Sequence, residues 1–157
     1  MKLKVGDKAP NFQVLVGHKA VRSLKHYDGK FLILYFYPKD DTPGCTIETR
    51  DFDELIPEFD KINTRVLGIS KDSIDSHDKF CIKYAMQIEL GSDMEGEVCK
   101  AYGVWGEKSM FGKKYFGINR ATFLIDPNGT IAHIWSKVSV KGHASEVYEK
   151  IESLQMA

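Results

Sequence analysis

Phe31-Leu32-Ile33-Leu34-Tyr35-Phe36-Tyr37, running straight into Pro38-Lys39-Asp40-Asp41-Thr42-Pro43-Gly44-Cys45-Thr46, is the stretch that decides the fold. Its first seven residues are apolar or aromatic on both alternating faces, the pattern of a strand buried on both sides of a sheet. After Thr46 a helical period takes over, with Ile47, Phe52, Leu55, Ile56, Phe59 and Ile62 on one stripe. The stretch therefore reads as a strand-to-helix turn, the place where open α/β sheets carry chemistry. Thr42 suits the N-cap, and Pro43 suits the first helical position, where the missing N–H is not needed. Cys45 then falls in the first turn, where unpaired N–H groups and the positive end of the helix dipole favour a thiolate over a thiol. Gly44 would let a small substrate approach the backbone. The plain alternative is an ordinary helix start with a packed cysteine.

Outward from this turn, Pro57 interrupts the helical stripe, so a kink or restart is expected near Asp53. Val66–Ser70 is the next strand, parallel to the first through a right-handed crossover. Ser73 or Ser76 opens a helix to about Met86, with Phe80 and Tyr84 on its core face and Cys81 at one flank. Gln87–Leu90 reads as a short strand and Glu95–Tyr102 as a short helix in which Cys99 packs as a small apolar residue. Residues 103–120, rich in glycine and aromatics, read as a long functional or partner-facing loop. Ala121–Ile125 and Thr130–Val138 form a hairpin around Pro127-Asn128-Gly129, and Ser145–Leu154 a last helix turning Val147, Ile151 and Leu154 inward. Ahead of the deciding stretch, Phe12–Val16 and Ala20–Leu24 pair as a hairpin around Gly17. Strand, helix, strand, helix, hairpin and helix define an α/β class, and composition and periodicity go no further.

The 157 residues, 43% of them hydrophobic, fit one domain, residues 1–157. Lysine plus arginine and aspartate plus glutamate number 22 each, without a basic block, so nucleic acid and polybasic membrane contacts are disfavoured. Met1-Lys2-Leu3-Lys4-Val5-Gly6-Asp7 turns polar before a signal-peptide core could form, and no run reaches membrane-spanning length, so a cytoplasmic location is expected. Three cysteines, at 45, 81 and 99, are too few and too odd in number for a secreted disulfide framework. None forms a C-x-x-C pair, and the histidines at 18, 26, 77, 133 and 143 lie apart, so no metal site is expected.

The string PKDDTPGCT resembles the active-site loop of the peroxiredoxins, with its Pro, three residues, Thr, two residues, Cys; TPGCT-x-E resembles the bacterioferritin-comigratory-protein subfamily in particular. The likeness continues through SKDSIDSHDKF, LGSDMEGEV, KAYGVWGEKSMFGKKYFGINRATFLIDPNGTI and KGHASEV, nearly the whole chain. It implies a thioredoxin-like fold: a central mixed sheet with helices on both faces and an N-terminal hairpin. It also implies a thiol-dependent peroxidase that reduces hydrogen peroxide and organic hydroperoxides without metal, haem or flavin. Thioredoxin is the implied reductant, with glutathione or glutaredoxin as other donors, and the assembly expected is a monomer or weak dimer.

Carried over residue by residue, the resemblance puts the chemistry on Cys45, Thr42, Pro38 and Arg120. Sulfur attacks one peroxide oxygen while the other leaves with developing negative charge, so the site needs donors to both. Arg120 offers them from a permanently charged fork, whereas its plain reading is a surface arginine. Thr42 is either that donor or a helix cap, since one hydroxyl proton cannot serve both. Pro38 acts by shape. Glu48 would disfavour a thiolate unless paired, so it is expected to fix Arg120 or a neighbouring donor, with an exposed helical acid as the alternative. Trp105 and Phe111 are candidates for lining the site, with core packing the plainer reading. Many subfamily members carry a resolving cysteine five residues after the nucleophile, but here that position is Arg50, so the role falls on Cys81 of the next helix. Because a disulfide needs Cα atoms about 4.4–6.8 Å apart, both helix segments would have to unwind. The alternatives are a one-cysteine peroxidase resolved by an external thiol, a thioredoxin-type disulfide oxidoreductase, which the missing C-x-x-C disfavours, and a redox-responsive holdase.

Overall fold

The computed structural model describes residues 2–17 and 20–156. Strand β3 (Phe31–Phe36) is the axis of the structure. Its side chains alternate between two cores: Leu32, Leu34 and Phe36 enter one, while Ile33 and Tyr35, with Tyr37 after them, enter the other. That is why its sequence is apolar on both faces.

Around it lie β1 (Gln13–Val16), β2 (Ala20–Ser23), β4 (Thr64–Ser70), β5 (Glu89–Ser92), β8 (Ala121–Ile125) and β9 (Ile131–Trp135), in the order β2-β1-β5-β4-β3-β8-β9. Strands β3, β4 and β5 are mutually parallel, and β8 runs antiparallel to β3, with Phe36 opposite Ala121. The sheet is therefore mixed. Helices α1 (Pro43–Glu54), α2 (Ile56–Lys61), α3 (Ile74–Tyr84) and α5 (His143–Met156) cover the face of Ile33 and Tyr35. The other face is closed by α4 (Glu97–Ala101), the 3-10 turn at Leu24–Tyr27 and the segment before β1.

The helical run after the turn does break, at Leu55 (φ −91, ψ 0), and restarts with Pro57 in the first turn of α2. Proline is tolerated there because the first N–H groups of a helix have no intrahelical partner. Ser73 is the cap of α3, its hydroxyl accepting from Ser76 N at 3.1 Å, and the helix stops at left-handed Ala85, short of Met86. Phe80 is buried, whereas Tyr84 and Cys81 are only partly so.

Residues 103–120 are not a loop. Strands β6 (Trp105–Met110) and β7 (Lys113–Ile118) pair in full register as a separate two-stranded hairpin turning at Phe111-Gly112, both with positive φ. The final helix begins two residues earlier than the apolar stripe suggests, and β9 ends at Trp135 rather than Val138.

Candidate active site

Strand β3 lies inside the sheet, between β4 and β8, and the loop from Tyr37 to Thr42 turns the chain from its C-terminal end into α1. Thr42 sits at the N-cap position in extended conformation, followed by Pro43, Gly44 and Cys45 in the first turn. Cys45 is 1% exposed and shares a core cluster with Tyr35, Tyr37 and Phe52. Burial there withdraws the thiol from bulk solvent.

The residue that answers Cys45 comes from far along the chain. Arg120 immediately precedes β8, and antiparallel pairing with β3 brings it to the end where Tyr37 and the loop emerge. One guanidinium nitrogen donates to Cys45 Sγ at 3.3 Å and the other to Glu48 Oε1 at 2.6 Å. Burial pulls the charge of Arg120 down, but Glu48 and then Cys45 outweigh it, so the guanidinium is held more firmly protonated than usual. Glu48 lies one turn after Cys45 with its other oxygen, Oε2, buried and unpaired. Burial is the largest influence on this carboxyl and pushes it up to about 7, although Arg120 pulls the other way.

At the helix start, the side chain that Gly44 lacks leaves space for the guanidinium: a Cβ there would meet Arg120 Nη2 at 3.3 Å. One expectation needs correction. Thr42 does not cap α1 through its side chain. Its hydroxyl donates to Lys39 O at 2.8 Å, while its carbonyl accepts from Thr46 N. That hydroxyl proton is committed, and only the lone pairs of Oγ1 are left to the site. Pro38 is half-buried at the exit of β3.

Other expectations fall away from the site. Phe111 is 97% exposed at the hairpin tip. Trp105 packs against the opposite core under Lys71 Nζ, 4.3 Å from the ring centroid. Cys81 is half-buried, its thiol 3.8 Å from Ile88 O, and lines a cleft of about 520 Å³ with Asp78, Ile82 and Met86. Burial, then Asp40, pushes its thiol up to about 11. Cys99 is fully buried, and desolvation followed by Asp93 holds it as a thiol. All three cysteines are unbonded. Arg50, five residues after Cys45, is exposed with its guanidinium 5.5 Å above the Tyr84 ring.

Some residues at the site were not singled out by sequence. Behind it, Tyr35 donates to Thr49 at 3.0 Å, an arrangement that needs Gly68 because a Cβ there would lie 2.6 Å from the Tyr35 ring. Thr122 Oγ1 meets His143 Nε2 at 2.8 Å, and burial brings His143 down to about 4. Val140 reaches the neighbourhood of Gly44 from the segment before α5. On the α3 side, ligand atoms of Asp40, Asp72 and His77 lie within 4.8 Å of one another, the only such group among the described residues. Both oxygens of Asp40, both His77 nitrogens and Oδ2 of Asp72 are already engaged by hydrogen bonds within the protein.

Fold and site together define a class: thioredoxin-like proteins in which a single helix-start cysteine, not a C-x-x-C pair, faces an arginine. Residues 5–134 match the AhpC/TSA family. The chain is 48% identical to a putative peroxiredoxin Bcp of Coxiella burnetii over 96% of its length and all of that protein's. It is 40% identical to peroxiredoxin Bcp of Bacillus subtilis over 98% of both chains. Among solved structures, a cysteine-to-serine mutant of Xylella fastidiosa PrxQ superposes with a TM-score of 0.93 at 40% identity, over 99% of each chain. A Xanthomonas campestris bacterioferritin comigratory protein, studied for alkyl peroxide reduction, gives 0.86 at 42% identity over 90% of each. The chain belongs to the AhpC/TSA family, and within it to the Bcp/PrxQ peroxiredoxins. It is a thiol-dependent peroxidase, with a peroxide as substrate and a thiol as reductant.

Proposed function

We propose that Cys45 is the peroxidatic nucleophile, and that Arg120, oriented by Glu48, stabilises both its thiolate and the departing peroxide oxygen. The observation that carries this reading is one guanidinium donating to Cys45 Sγ and Glu48 Oε1 together. A sulfur–oxygen bond forms as the oxygen–oxygen bond breaks, leaving a sulfenic acid on Cys45, and the departing oxygen takes up a proton equivalent to the one the thiol gave up on ionising, to leave as water or an alcohol. Thr42 Oγ1 takes part as an acceptor for the peroxide O–H, because its proton is held by Lys39 O. Pro38 shields the sulfur from bulk water.

Hydrogen peroxide and organic hydroperoxides are the substrates, and the alkyl peroxide reduction studied in the Xanthomonas campestris relative supports the second class. Cys81 resolves the sulfenic acid as an intramolecular disulfide, which thioredoxin reduces. Residues 1–157 act as one domain, as a monomer or weak dimer in the cytoplasm; no helix among the described residues is long and apolar enough to cross a membrane. Replacing Cys45 by Ser should abolish peroxide consumption in a thioredoxin-coupled assay, and retained turnover would remove Cys45 from the reaction. A non-reducing peptide map after one equivalent of peroxide reads the resolver: a Cys45–Cys81 crosslink supports the intramolecular route, and stable sulfenic acid with Cys81 free points to an external thiol.

A further inference from the structure

The loop that delivers Cys45 is fastened to both ends of α3, the helix that carries Cys81. At the first turn, Asp40 accepts from the Tyr37 hydroxyl at 2.6 Å and the Ser76 hydroxyl at 2.8 Å, and meets His77 Nδ1 at 2.7 Å. Its own N–H donates to Asp72 at 2.8 Å. At the last turn, Asp41 accepts from Lys83 Nζ and from the Tyr84 hydroxyl, each at 2.6 Å. Asp41 adopts φ 57 in doing so, a left-handed conformation that aspartate and asparagine tolerate better than most residues. Two adjacent aspartates thus hold opposite ends of one 11-residue helix.

The two grips differ in kind. Asp40 and His77 are buried, with side chains 4% and 2% exposed, and separating them would strand polar groups in the core. Asp41 and Lys83 are exposed, at 39% and 58%, so water can replace each contact as it breaks. Cys81 lies one turn before Tyr84, in the half of α3 held by the exposed grip, and the helix ends there at left-handed Ala85. The end that must move is the end that is lightly held.

We propose that Asp41 is a positioning residue for resolution: its contacts with Lys83 and Tyr84 form a latch that opens first and releases the Cys81 end of α3, while Asp40 and His77 stay closed as the hinge. This rests on Cys81 being the resolver. Once released, the Cys81 sulfur attacks the Cys45 sulfenic sulfur. The sulfur–sulfur bond forms, the sulfur–oxygen bond breaks, and the oxygen leaves as water with the thiol proton. Latch strength then decides how long the sulfenic acid waits and how often a second peroxide converts it to sulfinic acid.

The test is rapid mixing of the whole protein with one equivalent of hydrogen peroxide, alkylation quench and non-reducing mass spectrometry. It compares wild type with Asp41→Asn, which keeps the left-handed turn, and with Tyr84→Phe, which leaves the loop untouched. Sulfenic acid should form at the wild-type rate in both variants, while the Cys45–Cys81 crosslink should appear at least about threefold faster, the scale of losing an exposed charged contact. Sulfinic acid at excess peroxide should fall in step. A purely structural role would instead change sulfenic acid formation and crosslinking together. Crosslinking at the wild-type rate or slower in both variants overturns the latch alone. Absence of the crosslink in every protein, wild type included, overturns the latch and the assignment of Cys81 with it.

Discussion

Gly44 acts through the side chain it lacks. Alanine there would put a methyl 3.3 Å from Arg120 Nη2, so the guanidinium must shift by a few tenths of an ångström away from its place beside the sulfur. Gly44→Ala should therefore slow sulfenic acid formation in stopped-flow, and an unchanged rate would show that the guanidinium keeps its place beside the sulfur. Arg120→Met should cost at least about tenfold in the second-order rate with peroxide, the scale of losing one charged donor. An unchanged rate would take Arg120 out of the chemistry. At this scale, the spacing from Pro38 to Cys45 was legible because a strand end, a cap position and a helix start each leave local marks. The role of Gly44 and the commitment of the Thr42 hydroxyl to Lys39 were not, because each depends on the direction of a single side chain across a turn.

The β6–β7 hairpin shows why one element escaped the sequence. Two-residue hairpin turns with positive φ at both positions favour Asn-Gly or Asp-Gly, and this one is Phe111-Gly112. Without that signal, and with Gly106 and Gly117 inside the strands, the segment reads as an irregular loop. Phe111→Asn should stabilise the protein by about 1 kcal/mol in chemical denaturation, because asparagine accepts the left-handed conformation more readily, and leave the peroxide rate unchanged. Loss of activity would bring the hairpin tip back to the site. The break between α1 and α2 was legible, in contrast, because Pro57 acts through its own covalent geometry. In α4, Cys99 is fully buried and held as a thiol by desolvation and Asp93, so Cys99→Ala should keep full recycling by thioredoxin, measured over repeated turnovers.

Across the whole molecule, two buried groups give stability an opposed pH dependence. Glu48 is raised in the fold to about 7 from an ordinary 4.5, so its contribution is complete below about 4.5 and is lost as pH rises through 7. His143 is lowered to about 4 from 6.5, so its contribution is complete above 6.5 and is lost as pH falls through 4. Between about 4.5 and 6.5 the two slopes oppose each other. Glu48→Gln removes the first. Its melting temperature should therefore gain on wild type as pH rises from 4.5 to 7, by no more than the order of 3 kcal/mol in stability. Parallel melting curves across that range would show that Glu48 is not the group responsible. The α/β class and parallel centre of the sheet were legible from apolar runs and helical periods; the antiparallel seat of Arg120 against β3 was not, because pairing partners leave no local trace.

That antiparallel seat has a meaning for a chain still being made. Cys45 and Arg120 are 75 residues apart and meet only when β8 docks beside β3. At about 5–20 residues per second, a ribosome needs roughly 4–15 s to travel from one to the other. For that interval the emerging thiol has neither its guanidinium neighbour nor the closed sheet that buries it. On the roles proposed above, peroxide reactivity arrives only with completion of the sheet, so a truncated product lacking β8 should react with peroxide as an ordinary cysteine does.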